Sequence, residues 1–267
     1  MNRDTRVSLR SGNMMPVIAL GTWELARETA ATVADALALG YRMIDTSGDY
    51  GTQPGIGTAI RRSGLDRSDL YVVTKIEEDE DPRAATRKNL QELQLGYVAL
   101  MLIHRPPSRG VGEKLWRGLI QARADGLVRD IGLSNYSMAL IDALVEATDE
   151  VPAVNQIEWT PFGFSAPMLR YAREREIVLQ AYSPLTRALR LNEPQLAKIA
   201  AAYGKSAAQV LLRWNLQHGT VPLPKANQRA HLQENLEIFD FALSDAHMSA
   251  LDALNERYSA LGELPYE

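Results

Sequence analysis

Three short apolar runs of this chain each end in an ionisable residue: Met43-Ile44 in Asp45, "LYVVT" in Lys75 and "VALMLI" in His104. A further candidate, Tyr50, stands five residues beyond Asp45 in "GYRMIDTSGDYG". A free phenol titrates near about 10, so a tyrosine donates protons poorly at neutral pH unless a nearby cation favours its phenolate. Lys75 would supply the cation, and Asp45 would hold the lysine while offsetting the cost of burying it. His104 would orient a carbonyl oxygen by a hydrogen bond, provided its protonated nitrogen faces the pocket. Together the four suit reduction of an aldehyde or ketone, in which negative charge gathers on oxygen as hydride reaches carbon. None of them can donate hydride, which a reduced nicotinamide would supply.

Such side chains meet only if successive strands end on one face. "MMPVIALG" precedes "ELARETAATVADALALG", whose apolar and alanine positions recur at helical spacing and which stops at Gly40. The alternation continues through "YRMID", "LYVVTK", "YVALMLIH", "VRDIGLS", "AVNQIEW", "IVLQAYS" and "TVPLP", each followed by a helical pattern, which makes eight strand candidates. No seam of Pro, Gly or Ser divides the chain, so the expectation is a single α/β domain over 1–267. It would be a closed (β/α)8 barrel with a short N-terminal β-hairpin and a tail, 255–267, near the barrel mouth. The competing open doubly wound sheet should show a glycine-rich turn after its first strand, and "GIG" at Gly55 to Gly57 is too short and misplaced. In a barrel, Asp45, Lys75 and His104 fall on one mouth with Tyr50 on the loop above.

Composition narrows the classes. Net charge is −4, with 29 basic and 33 acidic residues intermixed, so no basic stripe awaits nucleic acid. Zero cysteines exclude disulfides, thiolate nucleophiles and cysteine-ligated metals. No apolar run reaches bilayer-spanning or secretory length, which makes a soluble cytoplasmic protein the expectation.

"GTW" at Gly21 to Trp23, "YRMIDTSGDYG", "VVTK", "LMLIHRP", "IGLSNY", "VNQIEWTP", "AYSPL" and "PLPKA" followed by "QENLEIFDFALS" occur in an order that resembles the aldo-keto reductase superfamily. The likeness is greatest to small bacterial aldehyde and keto-acid reductases of the 2,5-diketo-D-gluconate type, and it runs from about Val7 to the "LSDAHMSALDAL" helix. The resemblance implies a monomer reducing small-molecule carbonyls, with Tyr50, Lys75, Asp45 and His104 as the catalytic set and no metal. It implies NAD(P)(H) in an extended pose across the mouth, contacting Thr22, Trp23 and Asp45. The carboxamide would meet Ser134, Asn135 and Gln156, and the nicotinamide face Tyr182. Ser183 to Leu185 would lie along the pyrophosphate, and Lys225, Ala226, Asn227, His231, Glu234 and Asn235 at the adenosine end.

Departures from the pattern bear on specificity. Many relatives carry tryptophan where this chain has Glu77 and again where it has Arg105. The substrate pocket would then comprise Trp23, Tyr50, Glu77, His104 and Arg105, less suited to bulky apolar carbonyls. Arg105 would recognise a carboxylate, or Glu77 would neutralise it; the sequence leaves both open. At the adenosine end, relatives selective for NADPH carry "KS" and an arginine, whereas Lys225-Ala226 and His231 stand here. NADPH is slightly favoured, NADH use is expected, and Arg229 is positioned to compensate if the helix register differs. Blander readings accompany these: "EEDED" from Glu77 as a solvated loop, and Ser134-Asn135 as an N-cap pair before "YSMALIDAL". A noncatalytic barrel of the same family, and a barrel isomerase or lyase using "PLPKA" for phosphate, are the functional alternatives.

Overall fold

A computed structural model describes residues 1–25 and 28–266. Its first strands, β1 (Arg6–Ser8) and β2 (Met14–Pro16), pair antiparallel with Val7 opposite Met15. The following strands pair parallel in sequence order: β3 (Leu20–Gly21), β4 (Met43–Asp45), β5 (Tyr71–Ile76), β6 (Val98–Ile103), β7 (Val128–Ser134), β8 (Val154–Glu158), β9 (Val178–Tyr182) and β10 (Val221–Pro222). Ala19 N donates to Pro222 O at 3.2 Å and Gly21 N to Pro224 O at 3.0 Å, which joins the first edge to the last. A Cβ on Gly21 would stand 2.7 Å from Leu223 O, so this seam requires glycine. The result is an eight-stranded (β/α)8 barrel preceded by a hairpin.

The helices are α1 (Thr29–Leu39), α2 (Gln53–Arg62), α3 (Pro82–Leu93), α4 (Glu113–Ala124), α5 (Met138–Thr148), α6 (Ala166–Glu174), α7 (Pro194–Tyr203), α8 (Ala207–Gln217), α9 (Arg229–Leu236) and α10 (Asp245–Asp252). Their starts have local causes: Asp81 accepts from Ala84 N at α3, and Ser206 with Gln209 makes a reciprocal capping box at α8. The run "MMPVIALG" is divided between the hairpin and β3. The helical pattern quoted from Glu24 is realised from Thr29, and Ala26 and Arg27 lie outside the described residues.

Two apolar cores follow from the two-residue period of a strand. Met43, Val73, Leu100, Leu102, Val154 and Val221 point inward and pack inside the barrel, with Met15 and Leu9 from the hairpin region. Ile44, Val72, Met101, Ile103, Leu133 and Ile157 point outward and pack beneath the helices. The period also positions the chemistry: Asp45, Lys75 and His104 each follow an inward residue, Met43, Val73 and Leu102, by two places. All three therefore project toward the barrel axis at the strand ends.

Candidate active site

Asp45 and Lys75 form a closed ion pair at the top of the barrel interior. Lys75 Nζ donates to Asp45 Oδ1 at 2.9 Å and to Thr46 O at 2.7 Å, and Lys75 is 1% exposed. The other carboxylate oxygen, Asp45 Oδ2, accepts from Gln156 Nε2 at 2.7 Å, and Gln156 Nε2 also reaches Gln180 Oε1 at 2.9 Å. Burial alone would drive the ammonium toward neutrality, but Asp45 and Tyr50 more than reverse that and hold Lys75 above its ordinary value. The lysine stays charged where water is excluded.

Tyr50 sits over this pair, with Lys75 Nζ 5.1 Å from its ring centroid. Its loop is stitched from beneath: the Thr46 and Thr52 hydroxyls meet at 2.9 Å, Thr22 and Thr52 at 3.2 Å, and Gln53 Nε2 donates to Thr74 Oγ1 at 2.8 Å. Burial pushes the Tyr50 phenol up; the charge and hydrogen bond of Lys75 pull it down, while Asp45 and Asp49 add to the rise. The balance lies above the ordinary phenol value. Lys75 thus moderates the phenol without bringing it below that value, as the sequence alone had suggested a neighbouring cation would.

His104 lies beside Tyr50, ring centroids 5.8 Å apart and nearly edge to face. Its Nδ1 is 2.7 Å from Glu77 Oε1, which also accepts from Ser47 Oγ at 3.1 Å. Burial raises the Glu77 carboxyl, but the hydrogen bond and charge of His104, then Ser47 and Arg105, bring it below the usual carboxylate range. Glu77 is therefore engaged with His104 and sits behind it, away from the cavity lining. The remainder of "EEDED" is ordered locally, with Glu80 accepting from Glu77 N at 2.9 Å and Asp81 capping α3.

A cavity of about 820 Å³ opens above these groups. Tyr50, His104, Arg105 and Trp23 line its inner end with Asp45, Ser134, Asn135, Gln156 and Tyr182; Lys225, His231, Glu234 and Asn235 line the other. Ser134 Oγ donates to Gln156 O at 2.8 Å, and Asn135, at φ 64°, accepts the Tyr182 hydroxyl at 2.8 Å and donates to His104 O at 3.1 Å. The α5 cap is Ser137, which accepts from Leu140 N, and this frees Ser134 and Asn135 from the capping role read for them. Thr22, Ser183 and Leu185 also face the cavity, whereas Ala226 and Asn227 flank Lys225 without lining it. Arg229 is directed away, to Asp35 of α1 at 2.6 Å.

The aldo/keto reductase family model matches residues 17–256 of the chain. The chain belongs to that family. A Mycobacterium avium aldo-keto reductase is 39% identical over 256 residues, covering 94% of this chain and 90% of the relative. A Pseudomonas putida morphine 6-dehydrogenase is 38% identical, covering 93% of this chain and 90% of the relative. The crystal structure of a Bombyx mori aldo-keto reductase in complex with NADP superposes with a TM-score of 0.92 at 29% identity, covering 97% of this chain and 95% of that one. This aldo/keto reductase is accordingly an oxidoreductase.

Several neighbours of this aldo/keto reductase site escaped sequence reasoning. Gln180 is linked to Asp45 through Gln156, and the Arg187 guanidinium lies 4.1 Å over the Trp23 ring at the rim. Only the inward period on β9 could have pointed to Gln180; nothing local announces Arg187, whose φ of 51° places it in an irregular turn. The C-terminal tail docks against the end of β8, where Glu158 accepts from Ser259 Oγ at 2.6 Å and Ala260 N at 2.8 Å. Tyr266 donates to Glu158 O at 2.9 Å, and Leu261 reaches the cavity lining. Among the described residues, no helix is long and apolar enough to cross a membrane.

Proposed function

We propose that this protein reduces small aldehydes, dicarbonyls or keto acids, including those of the 2,5-diketo-D-gluconate kind, to alcohols at the expense of NAD(P)H, with Tyr50 as the general acid. The observation that carries the reading is the buried Lys75–Asp45 pair directly beneath Tyr50, with His104 beside it. Bound NAD(P)H would supply a hydride to the carbonyl carbon. Tyr50 holds the proton that the carbonyl oxygen takes up, and its raised affinity for that proton keeps the phenol loaded at neutral pH. Lys75, fixed as an ammonium, stabilises the phenolate left behind. Arg105, exposed at the rim, offers a fork of donors to a carboxylate on the substrate.

The donor set fits a nicotinamide dinucleotide. Tyr182 presents a ring inside the cavity, and Ser134, Asn135 and Gln156 present polar groups beside it. Because Gln156 Nε2 is occupied by Asp45 and Gln180, its Oε1 is the atom available to accept from a carboxamide. Lys225 brings a full positive charge to the outer end, where His231 and Glu234 also stand, so NADP(H) is slightly favoured and NAD(H) is used as well. The NADP held by the Bombyx mori structure supports the first choice. The reading includes a monomer acting in the cytoplasm.

The test is oxidation of NADPH and NADH followed at 340 nm with methylglyoxal, aromatic aldehydes, aliphatic aldehydes and keto acids, beside a Tyr50→Phe control. Turnover that the control loses by a factor of about 100 or more is the expected result. Quenching of tryptophan fluorescence reports cofactor binding in the same samples. Binding without turnover by any substrate would reject the substrate range proposed, and absence of binding would reject the enzyme reading in favour of a noncatalytic barrel.

A further inference from the structure

Glu77 and His104 lie on the successive strand ends of β5 and β6, and the geometry between them decides which ring nitrogen carries a proton. Glu77 Oε1 already accepts the Ser47 hydroxyl at 3.1 Å and stands 2.7 Å from His104 Nδ1. An ionised carboxylate accepts and cannot donate, so the shared proton belongs to Nδ1. The ring has two nitrogens and, when neutral, one proton. With Nδ1 protonated, a neutral His104 presents a bare Nε2, which accepts hydrogen bonds, and only the imidazolium presents an Nε2–H donor.

We propose that Glu77 is a positioning residue that holds the proton of His104 on Nδ1, so that His104 can donate a hydrogen bond to the carbonyl oxygen only as imidazolium. The inference rests on the carbonyl-reductase reading given above. A carbonyl oxygen needs a donor opposite it, which the imidazolium supplies from Nε2. Deprotonation of the ring therefore removes the reductive arrangement.

Charged and titratable groups face the ring from several elements. Asp49 Oδ1 is 3.9 Å from Nδ1 and Tyr50 is at edge-to-face distance, both on the β4–α2 loop; Glu77 is just beyond β5, with Lys75 inside that strand. Tyr182 faces the same cavity from β9, and Arg105, which follows His104 on its own loop, lines it as well. Two carboxylates thus stand within 4 Å of Nδ1. Glu77, held below the usual carboxylate range, stays ionised across the working pH range.

Nitrogen-15 NMR of the histidine rings, with His104 assigned by its loss in His104→Gln, tests the tautomer without any need for turnover. The neutral His104 ring in the wild-type protein is expected to be Nδ1–H; an Nε2–H ring would overturn the proposal. Glu77→Leu, which removes the acceptor, is expected to shift the neutral ring toward Nε2–H, and a ring unchanged by it would also overturn the proposal. In parallel, kcat/KM for aldehyde reduction is measured from pH 5.5 to 9.5 in the wild type and in Glu77→Gln. The wild type is expected to fall by about tenfold per pH unit once the imidazolium titrates, and the glutamine variant to lose that limb because its side-chain NH2, turned toward Nδ1, lets the neutral ring carry Nε2–H. A limb of unchanged midpoint in Glu77→Gln would count against the proposal. If no carbonyl is reduced at all, the failure belongs to the proposed function, while the tautomer still decides the role of Glu77.

Discussion

Asp45 and Gln156 stand 111 residues apart, yet the Gln156 amide donates to the Asp45 carboxylate at 2.7 Å while Lys75 occupies its other oxygen. The carboxylate is thereby satisfied on both oxygens in a place shut from water. Lys75→Met removes one partner and leaves a buried charge, which is expected to cost about 3–5 kcal/mol of stability and to lower kcat by a factor of about 100 or more. Adding Asp45→Asn should recover part of the stability and none of the turnover. Urea unfolding beside steady-state kinetics checks both halves.

Cofactor preference should respond at the outer end of the cavity. His231→Arg replaces an imidazole with a permanent guanidinium beside Lys225 and Glu234. The ratio of kcat/KM for NADPH over NADH is expected to rise by about tenfold, mainly through a lower KM for NADPH. An unchanged ratio would place the 2'-phosphate away from α9.

The Glu77 carboxyl titrates below its ordinary 4.5 in the folded protein, so its contribution to stability has a definite sign with pH. That contribution is complete above the unfolded value and is lost as pH falls through the lower folded value. Glu77→Gln should therefore lower Tm near neutrality and leave a smaller difference between wild type and variant at pH 3. Scanning calorimetry at the two pH values is the measurement.

The tail should open when its seat is altered. A Cβ on Gly163 would stand 1.9 Å from Tyr258 O, while Phe162 O accepts from Glu256 N and Tyr258 N at 3.0 and 2.9 Å. Gly163→Ala is expected to displace residues 256–266, increase their amide exchange and shift tryptophan emission to the red as Trp159 loses Tyr266 from 6.3 Å. Tyr266→Ala should cost about 2–4 kcal/mol of stability by emptying a buried aromatic site.

Much of this arrangement was written in the local pattern. Strand and helix alternate because apolar spacing changes between periods of 2 and 3.6, and that alternation implied the barrel. The same period of 2 put Asp45, Lys75 and His104 in phase with Met43, Val73 and Leu102, so their convergence was legible before any coordinates. Chain order and residue type were enough to name the catalytic candidates, whereas the residues at the two ends of the cavity came from the family resemblance.

What tertiary structure decided was which polar atoms meet. Glu77 read both as the start of a solvated acidic loop and as a pocket residue beside Arg105, because a sequence shows charge and hides the neighbouring strand; its partnership with His104, away from the cavity lining, exists only because β5 and β6 run side by side. Arg229, a candidate phosphate contact by position, is drawn to Asp35 on α1, and Gln156 reaches Asp45 across the barrel. Hydrogen bonds act over about 3 Å and in fixed directions. Apolar periodicity survives in one dimension, whereas the pairing of buried donors and acceptors is settled only when the barrel closes.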